Sequence, residues 1–200
     1  ELAMKSSVRL ATLLVACFAV AVACGDQPEE AVFVDNGVSK LAYHHGEAWR
    51  KGDGYIECSG YNNYLYAGRG IGPGDFYVTA ELTILKLSRS AASFMIGERS
   101  HFGFEGGAGE VFLSGPLFGG KLNQLKPNDG VVPDNRRFTF EVIRKGSKLS
   151  LLIDGRPIHT LQTDSGRLGQ IAFRPWRSTM RIHRLVATGQ LYDMPKLPQR

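Results

Sequence analysis

The stretch that most constrains the fold of this chain runs from Phe138 to Leu161, FTFEVIRKGSKLSLLIDGRPIHTL. Its apolar residues alternate with polar ones, which is the two-residue period of a strand with one buried face. Lys145-Gly146-Ser147 and Asp154-Gly155 interrupt the alternation, and glycine supplies the positive φ that a tight hairpin needs. The stretch therefore predicts three consecutive antiparallel strands whose apolar face must be covered by a second sheet.

The composition of the whole chain agrees with such a fold. Its 200 residues are 43% hydrophobic, enough for one globular domain with a sizeable core. The 24 glycines are scattered without a period, which favours many tight turns over a repeat architecture. The net charge of +5 is not concentrated in any Lys/Arg cluster, so no nucleic-acid partner is expected. The sequence predicts an all-β, two-sheet antiparallel sandwich.

The first 24 residues have the features of an export signal. Lys5 and Arg9 precede the apolar run Leu10 to Ala23, which is short for a membrane span. Ala21-Val22-Ala23 is a small-residue cleavage site, and Cys24 follows it directly, as in the lipobox of bacterial lipoproteins. The sequence predicts an exported protein. It is either secreted freely or held by lipid on Cys24 to the outer or cytoplasmic membrane, as a cell-surface or periplasmic lipoprotein.

Three segments are expected after the signal. Residues 25–36 are polar and predict a tether, residues 37–190 carry the strand patterns of the domain, and residues 191–200 contain two prolines and predict a tail or linker stub. Within the domain, the glycine-rich run 68–74 is interpreted as a loop. A strand pattern follows it where a phosphate-binding helix would have to begin, so this loop is not expected to hold phosphate.

Several motifs resemble the concanavalin A-like (laminin G-like) superfamily. Tyr64-Leu65-Tyr66-Ala67, then Gly74-Asp75-Phe76 and a long strand, is similar to a step before a core strand of these jelly rolls. Four other stretches resemble the module that precedes the propeller in some exported bacterial sialidases: residues 91–94, 101–104, 115–119 and 173–181. The resemblance covers about residues 36–190 and implies a concanavalin A-like jelly roll.

The resemblance also implies a function, an exported carbohydrate-binding or accessory module without catalytic activity. The repeated Ser-x-Asp-x-Gly-x-Thr-Trp boxes of a sialidase propeller do not occur in the sequence, nor does the Glu-x-Asp-x-x-Glu signature of family 16 glucanases. Two alternatives stay open. Keto-glycoside hydrolases of the same superfamily are enzymes, and a structural surface lipoprotein would need no ligand at all.

Two aromatic and polar turns are the candidate sugar-binding residues. Sugars stack their C–H faces on aromatic rings, while their hydroxyls need planar donors and acceptors. The candidates are Tyr61, Asn62, Asn63 and Tyr64 in one turn, and Arg174, Trp176 and Arg177 in the other. The alternative for Trp176 is a structural anchor at the edge of the core, stacked on an arginine.

Catalytic residues are harder to assign. Glycoside hydrolysis needs two carboxylates that face each other across a cleft. If the chain is a hydrolase, Glu81 or Glu105 with His101 is the candidate set, although no spacing in the sequence pairs the carboxylates.

No cofactor is expected from a sequence motif. Laminin G-like domains bind calcium in some cases, and the resemblance makes loop carbonyls with Asp35, Asp53 or Asp129 the candidate ligands. His44-His45-x-Glu47 offers at most two zinc ligands, because adjacent strand residues point to opposite faces and only one histidine could join Glu47.

Overall fold

The computed structural model describes residues 28–87, 90–97, 99–120, 123–125 and 133–195, and for residues 123–125 it describes the backbone alone. The predicted export signal and the proposed lipidation site Cys24 lie outside these residues, as does Asp129. None of the described residues belongs to a helix that is long and apolar enough to cross a membrane.

The described residues form two antiparallel sheets, whose strands are numbered along the chain. The first sheet has nine strands, in the spatial order β14 (Arg156–Gln162), β13 (Lys148–Ile153), β12 (Arg137–Lys145), β7 (Arg69–Leu85), β16 (Thr179–Asp193), β1 (Glu29–Asp35) and β2 (Val38–Ser39), with β5 (Ile56–Ser59) on β16 and β4 (Arg50–Lys51) on β5. The second has seven, in the order β11 (Asn123–Leu125), β10 (Glu110–Ser114), β9 (His101–Glu105), β8 (Ala91–Ile96), β15 (Ile171–Arg174), β6 (Tyr64–Ala67) and β3 (Ala42–His45). A short 3₁₀ helix, Pro116–Phe118, follows β10.

The predicted meander is confirmed as β12, β13 and β14, which pair consecutively in the first sheet. Asp154 and Gly155 both have positive φ, 51° and 72°, as the tight turn between β13 and β14 requires. The Asp154 carboxylate also accepts hydrogen bonds from the Thr139 N–H and the Arg136 guanidinium. This turn therefore fixes the register that puts alternate apolar residues on one face.

The core lies between the two sheets. Phe140 of the first sheet stacks on Phe94 and Phe102 of the second, with ring centres 4.4 and 5.3 Å apart. Phe94 and Phe102 are fully buried, and Phe140 is 1% exposed. Burying such rings removes much apolar surface from water, which is the main favourable term in folding. The sequence prediction of a two-sheet antiparallel jelly-roll sandwich is confirmed.

Strands occupy three segments that the sequence predicts as tether, loop and tail. Residues 29–35 of the predicted tether form β1, which pairs with β16 and buries Ala31, Phe33 and Val34. The glycine-rich run 68–74 is largely the first part of β7, and the first residues of the predicted tail extend β16 to Asp193 and pair with this run. The sequence did not predict these strands for two reasons. Their composition is polar or rich in glycine, and their hydrogen-bonding partners lie more than 100 residues away along the chain.

Candidate functional site

The candidate sugar-binding turns meet on the outer face of the second sheet. In β15, Phe173 points into the core and Arg174 points outward, while in β6 the inward Leu65 separates the outward Tyr64 and Tyr66. β15 and β6 are neighbours in the sheet, so the turn before β6 and the turn after β15 lie side by side. The structure therefore joins two segments that are 110 residues apart in sequence.

Arg174 lies at the centre of this surface. Its guanidinium carbon is 4.2 Å from the ring centre of Trp176, 4.6 Å from that of Tyr61 and 5.3 Å from that of Tyr64. Its Nε–H donates a 3.0 Å hydrogen bond to the carbonyl oxygen of Tyr61. The faces of aromatic rings attract cations, so the three rings and this hydrogen bond fix the arginine. We call Tyr61, Tyr64, Arg174 and Trp176 the arginine–aromatic cluster.

The indole of Trp176 is supported by the sheet beneath it. Trp176 has φ of 58°, an uncommon value for a large residue, in the turn that returns the chain over the sheet. Its ring packs edge-on against Phe112 and against Tyr61, with ring centres 5.9 and 5.8 Å away. The Phe112 ring in turn covers Gly103, where a Cβ atom would come within 2.3 Å of it. Trp176 therefore packs on Phe112, Tyr61 and Arg174, and it is half-buried at the surface of the cluster.

A row of tyrosines continues the surface toward the edge of the sheet. Tyr64 stacks on Tyr66, and Tyr66 stacks on Tyr43 of the edge strand β3, with ring centres 5.6 and 5.3 Å apart. The hydroxyl of Tyr43 accepts a 2.9 Å hydrogen bond from the side-chain amide of Gln170. Burial raises the pKa of Tyr66 to about 12. Like an unshifted tyrosine, it has a neutral hydroxyl at ordinary pH and can donate a hydrogen bond.

The two asparagines of the first turn differ in position. Asn63 is only 7% exposed, and its side chain accepts a hydrogen bond from the Glu47 N–H and donates one to the carbonyl of Ser59. Asn63 therefore fixes the turn that presents Tyr61, and its role as a sugar contact stays a prediction. Asn62 is exposed at the rim of the cluster, as is Arg177 after β15.

The candidate catalytic residues do not share a cleft. Glu81 lies on the outer face of the first sheet, where it pairs with Arg137. Glu105 and His101 lie on the outer face of the second sheet, on the opposite side of the sandwich. These two are four residues apart on one strand, which corresponds to about 13 Å. Glu105 instead faces Glu110 across the β9–β10 hairpin.

The candidate metal ligands do not assemble either. Asp35 and Asp53 line one cleft of about 580 Å³ on the first sheet, but Arg137 and Arg184 line it too. Asp35 also pairs with Lys40 at 3.6 Å. Within the described part of the chain, no group of three or more His, Cys, Asp or Glu side chains could hold a metal ion. Calcium also accepts backbone carbonyl oxygens, and Asp129 lies outside the described residues, so calcium binding stays a prediction.

Comparison with solved structures identifies the fold. The carbohydrate recognition domain of Emp47p has a TM-score of 0.56 and 11% identity, covering 79% of this chain and 94% of that one. The apo Crh5 transglycosylase has a TM-score of 0.56 and 8% identity, covering 82% and 84%. The exoplasmic/lumenal domain of VIP36, bound to Ca²⁺ and Man₃GlcNAc, has a TM-score of 0.55 and 6% identity, covering 84% and 90%. These structures have the concanavalin A-like fold, and the present chain has the same fold.

The other comparisons give less information about the protein. A sialidase matches with a TM-score of 0.47 and 9% identity over 68% of this chain, which spans only 15% of the sialidase. That similarity is too weak to support the narrower sialidase-linked interpretation, which stays a prediction. No protein-family model matches the chain. No curated protein matches it either.

Parts of the site that sequence reasoning missed are Tyr43, Tyr66, Gly103 and Phe112. Tyr66 could have been found, because it is two residues from Tyr64 and a strand places both on one face. Tyr43, Gly103 and Phe112 carried no signal of their own. Their place in the site depends on which strands are neighbours.

Proposed function

We propose that this chain is an exported, non-catalytic carbohydrate-binding module, and that the arginine–aromatic cluster is its binding surface. The observation that carries the proposal is the position of Arg174, held among three aromatic rings on the outer face of the second sheet. Tyr61 is 51% exposed, so its ring is open to solvent and to a ligand. An exposed ring beside fixed hydrogen-bond donors suits the amphipathic surface of a sugar.

The fold is compatible with this function. The Emp47p domain is a carbohydrate recognition domain and the VIP36 structure contains Man₃GlcNAc, so two proteins with this fold bind glycans. The fold alone does not choose between a binding module and an enzyme, since the Crh5 transglycosylase shares it. The separation of Glu81 from Glu105 and His101 on opposite faces is the reason for preferring binding to hydrolysis.

Glycan-array binding by the purified chain is the test. We expect binding that is lost in the Trp176→Ala and Tyr61→Ala variants, because each removes a ring of the arginine–aromatic cluster. Tyr77→Ala is the matched control: it removes an exposed tyrosine of the first sheet, on the opposite side of the sandwich. Absence of glycan binding by the unmodified chain, or equal loss in all three variants, contradicts the proposed site.

Export and anchoring form a separate part of the proposal. The apolar run Leu10 to Ala23 followed by Cys24 supports cleavage and lipidation, which would place the module on a membrane surface. Expression of the full chain in a bacterium with radiolabelled palmitate should label the protein, and Cys24→Ser should abolish the label. An exported but unlabelled chain would show free secretion instead.

A further inference from the structure

The terminal nitrogens of Arg174 have no acceptor among the described residues. The Nε–H of this guanidinium is bonded to the Tyr61 carbonyl, and no hydrogen bond or ion pair within the described residues involves its two terminal nitrogens. Four N–H groups are therefore left for solvent or a ligand. The three surrounding rings hold these donors in place without accepting strong hydrogen bonds from them.

Arg174 differs in this respect from five other arginines of the fold. Arg144 is surrounded by backbone carbonyl oxygens. Four arginines have a carboxylate partner within ion-pair distance: Arg69, Arg136, Arg137 and Arg181. A positive charge that is partly removed from water normally acquires an anionic or dipolar partner, because desolvating it is costly. At Arg174 the described protein supplies rings and one carbonyl oxygen, but no anion.

Two other donors next to Arg174 also lack acceptors. The indole Nε1–H of Trp176 is buried and has no hydrogen-bond partner in the described structure, and the same holds for the hydroxyl of Ser93. Ser93 is fully buried and lies directly opposite Arg174 in the pairing of β8 with β15. The vicinity of Arg174 is therefore rich in unpaired donors.

We propose that the arginine–aromatic cluster selects acidic glycans, and that Arg174 binds a carboxylate or sulfate group of the sugar with its two terminal nitrogens. This inference rests on the proposed glycan-binding function and specifies its ligand class. A planar guanidinium fork matches the two oxygens of a carboxylate or sulfate, and such paired charge-assisted hydrogen bonds are stronger and more directional than neutral ones. The exposed ring of Tyr61 is left for the C–H face of the same sugar.

The test uses sets of glycans that differ only in the acidic group: a neutral oligosaccharide, its uronic acid form and its sulfated form. Isothermal titration of the full chain should give at least about tenfold tighter binding of one acidic form than of the neutral one. The titrations with the uronic acid form and with the sulfated form show which anion the protein prefers. If the neutral form binds as tightly as both acidic forms, acid selection is wrong while glycan binding stands. If none of the glycans binds, the proposed function fails as well.

Variants separate a specific contact from general charge attraction. Arg174→Lys keeps the charge and loses the fork, so it should weaken binding of the acidic form by about tenfold and change binding of the neutral form little. Arg156→Gln, at an exposed position on β14 of the other sheet, lowers the net charge and should leave acidic binding within about twofold. Unchanged binding in Arg174→Lys, or an equal loss in Arg156→Gln, would overturn the proposal. Melting temperatures of both variants confirm that they fold.

Discussion

The Nε–H of Arg144 donates a 2.7 Å hydrogen bond to the carbonyl oxygen of Gly74, a residue 70 positions earlier in the chain. The other guanidinium nitrogens of Arg144 donate to the carbonyls of Gly72, Asp164 and Gly166, and its carbon lies 4.8 Å from the centre of the Phe76 ring. Arg144 is 1% exposed. One buried side chain thus holds the start of β7 to the turn between β14 and β15.

Replacing Arg144 with methionine should destabilise the fold by about 3 kcal/mol, because several buried carbonyl oxygens would lose their donor. Urea unfolding followed by circular dichroism measures the change. Lys145→Met is the matched control: its side chain is exposed at the end of β12 and should change stability by less than about 0.5 kcal/mol. Equal stability of the two variants would mean that the Arg144 hydrogen bonds contribute nothing net.

Arg144 also shows how far the sequence could predict the fold. The alternation of Phe138, Phe140 and Val142 places residue 144 on the same inward face, although charged side chains are normally exposed. The meander was predictable because its strands are consecutive and its turns have glycine in the required places. The strand β1 was not, because its pairing partner β16 lies at the other end of the chain.

The candidate site was predictable in its parts and not in its assembly. Tyr61 to Tyr64 and Arg174 to Arg177 each have a composition typical of sugar-binding turns, so each could be selected alone. Their contact depends on the pairing of β6 with β15, which long-range hydrogen bonds decide. Burial also depends on assembly: Asn62 and Asn63 are identical in type, yet only Asn63 is enclosed.

The two neighbouring asparagines give a direct comparison. Asn63→Ala should lower stability by about 2 kcal/mol, because the Glu47 N–H and the Ser59 carbonyl would lose their partner in a partly buried turn. It should also weaken glycan binding, since this turn carries Tyr61. Asn62→Ala removes an exposed amide and should change stability by less than about 0.5 kcal/mol. Thermal unfolding of both variants measures the two losses of stability. A larger loss of stability in Asn62→Ala than in Asn63→Ala would refute the assigned roles.

Stability should decrease in mild acid because of three half-buried histidines. Burial lowers the pKa of His101, and the nearby Arg174 charge lowers it further. Burial likewise lowers the pKa of His159 and of His183. These imidazoles bind protons more weakly in the folded state than in the unfolded state, where the pKa is about 6.5. Their contribution is therefore complete above about pH 6.5 and is lost as the pH falls through the lower folded values.

Urea unfolding at pH 7.5, 6.5 and 5.5 measures this effect. The free energy of unfolding should fall by at most about 1.4 kcal/mol per pH unit for each proton taken up on unfolding. His101→Gln cannot titrate, so its stability should fall less steeply over the same range. An identical pH profile for this variant would show that His101 titrates alike in both states.

Gly103 provides a test of the support beneath the arginine–aromatic cluster. An added Cβ atom would lie 2.3 Å from Cζ of Phe112 and 2.5 Å from the backbone oxygen of Ala92, so Gly103→Ala must displace at least the ring. Phe112 contacts Trp176, and the displacement should reach the cluster. We expect a loss of about 2 kcal/mol in stability and weaker glycan binding. In a Phe112→Leu background the smaller side chain leaves room for the added methyl group, so Gly103→Ala should reduce stability less. This double-mutant cycle measures the coupling between the two residues. Strictly additive losses of stability would show that Gly103 and Phe112 act independently.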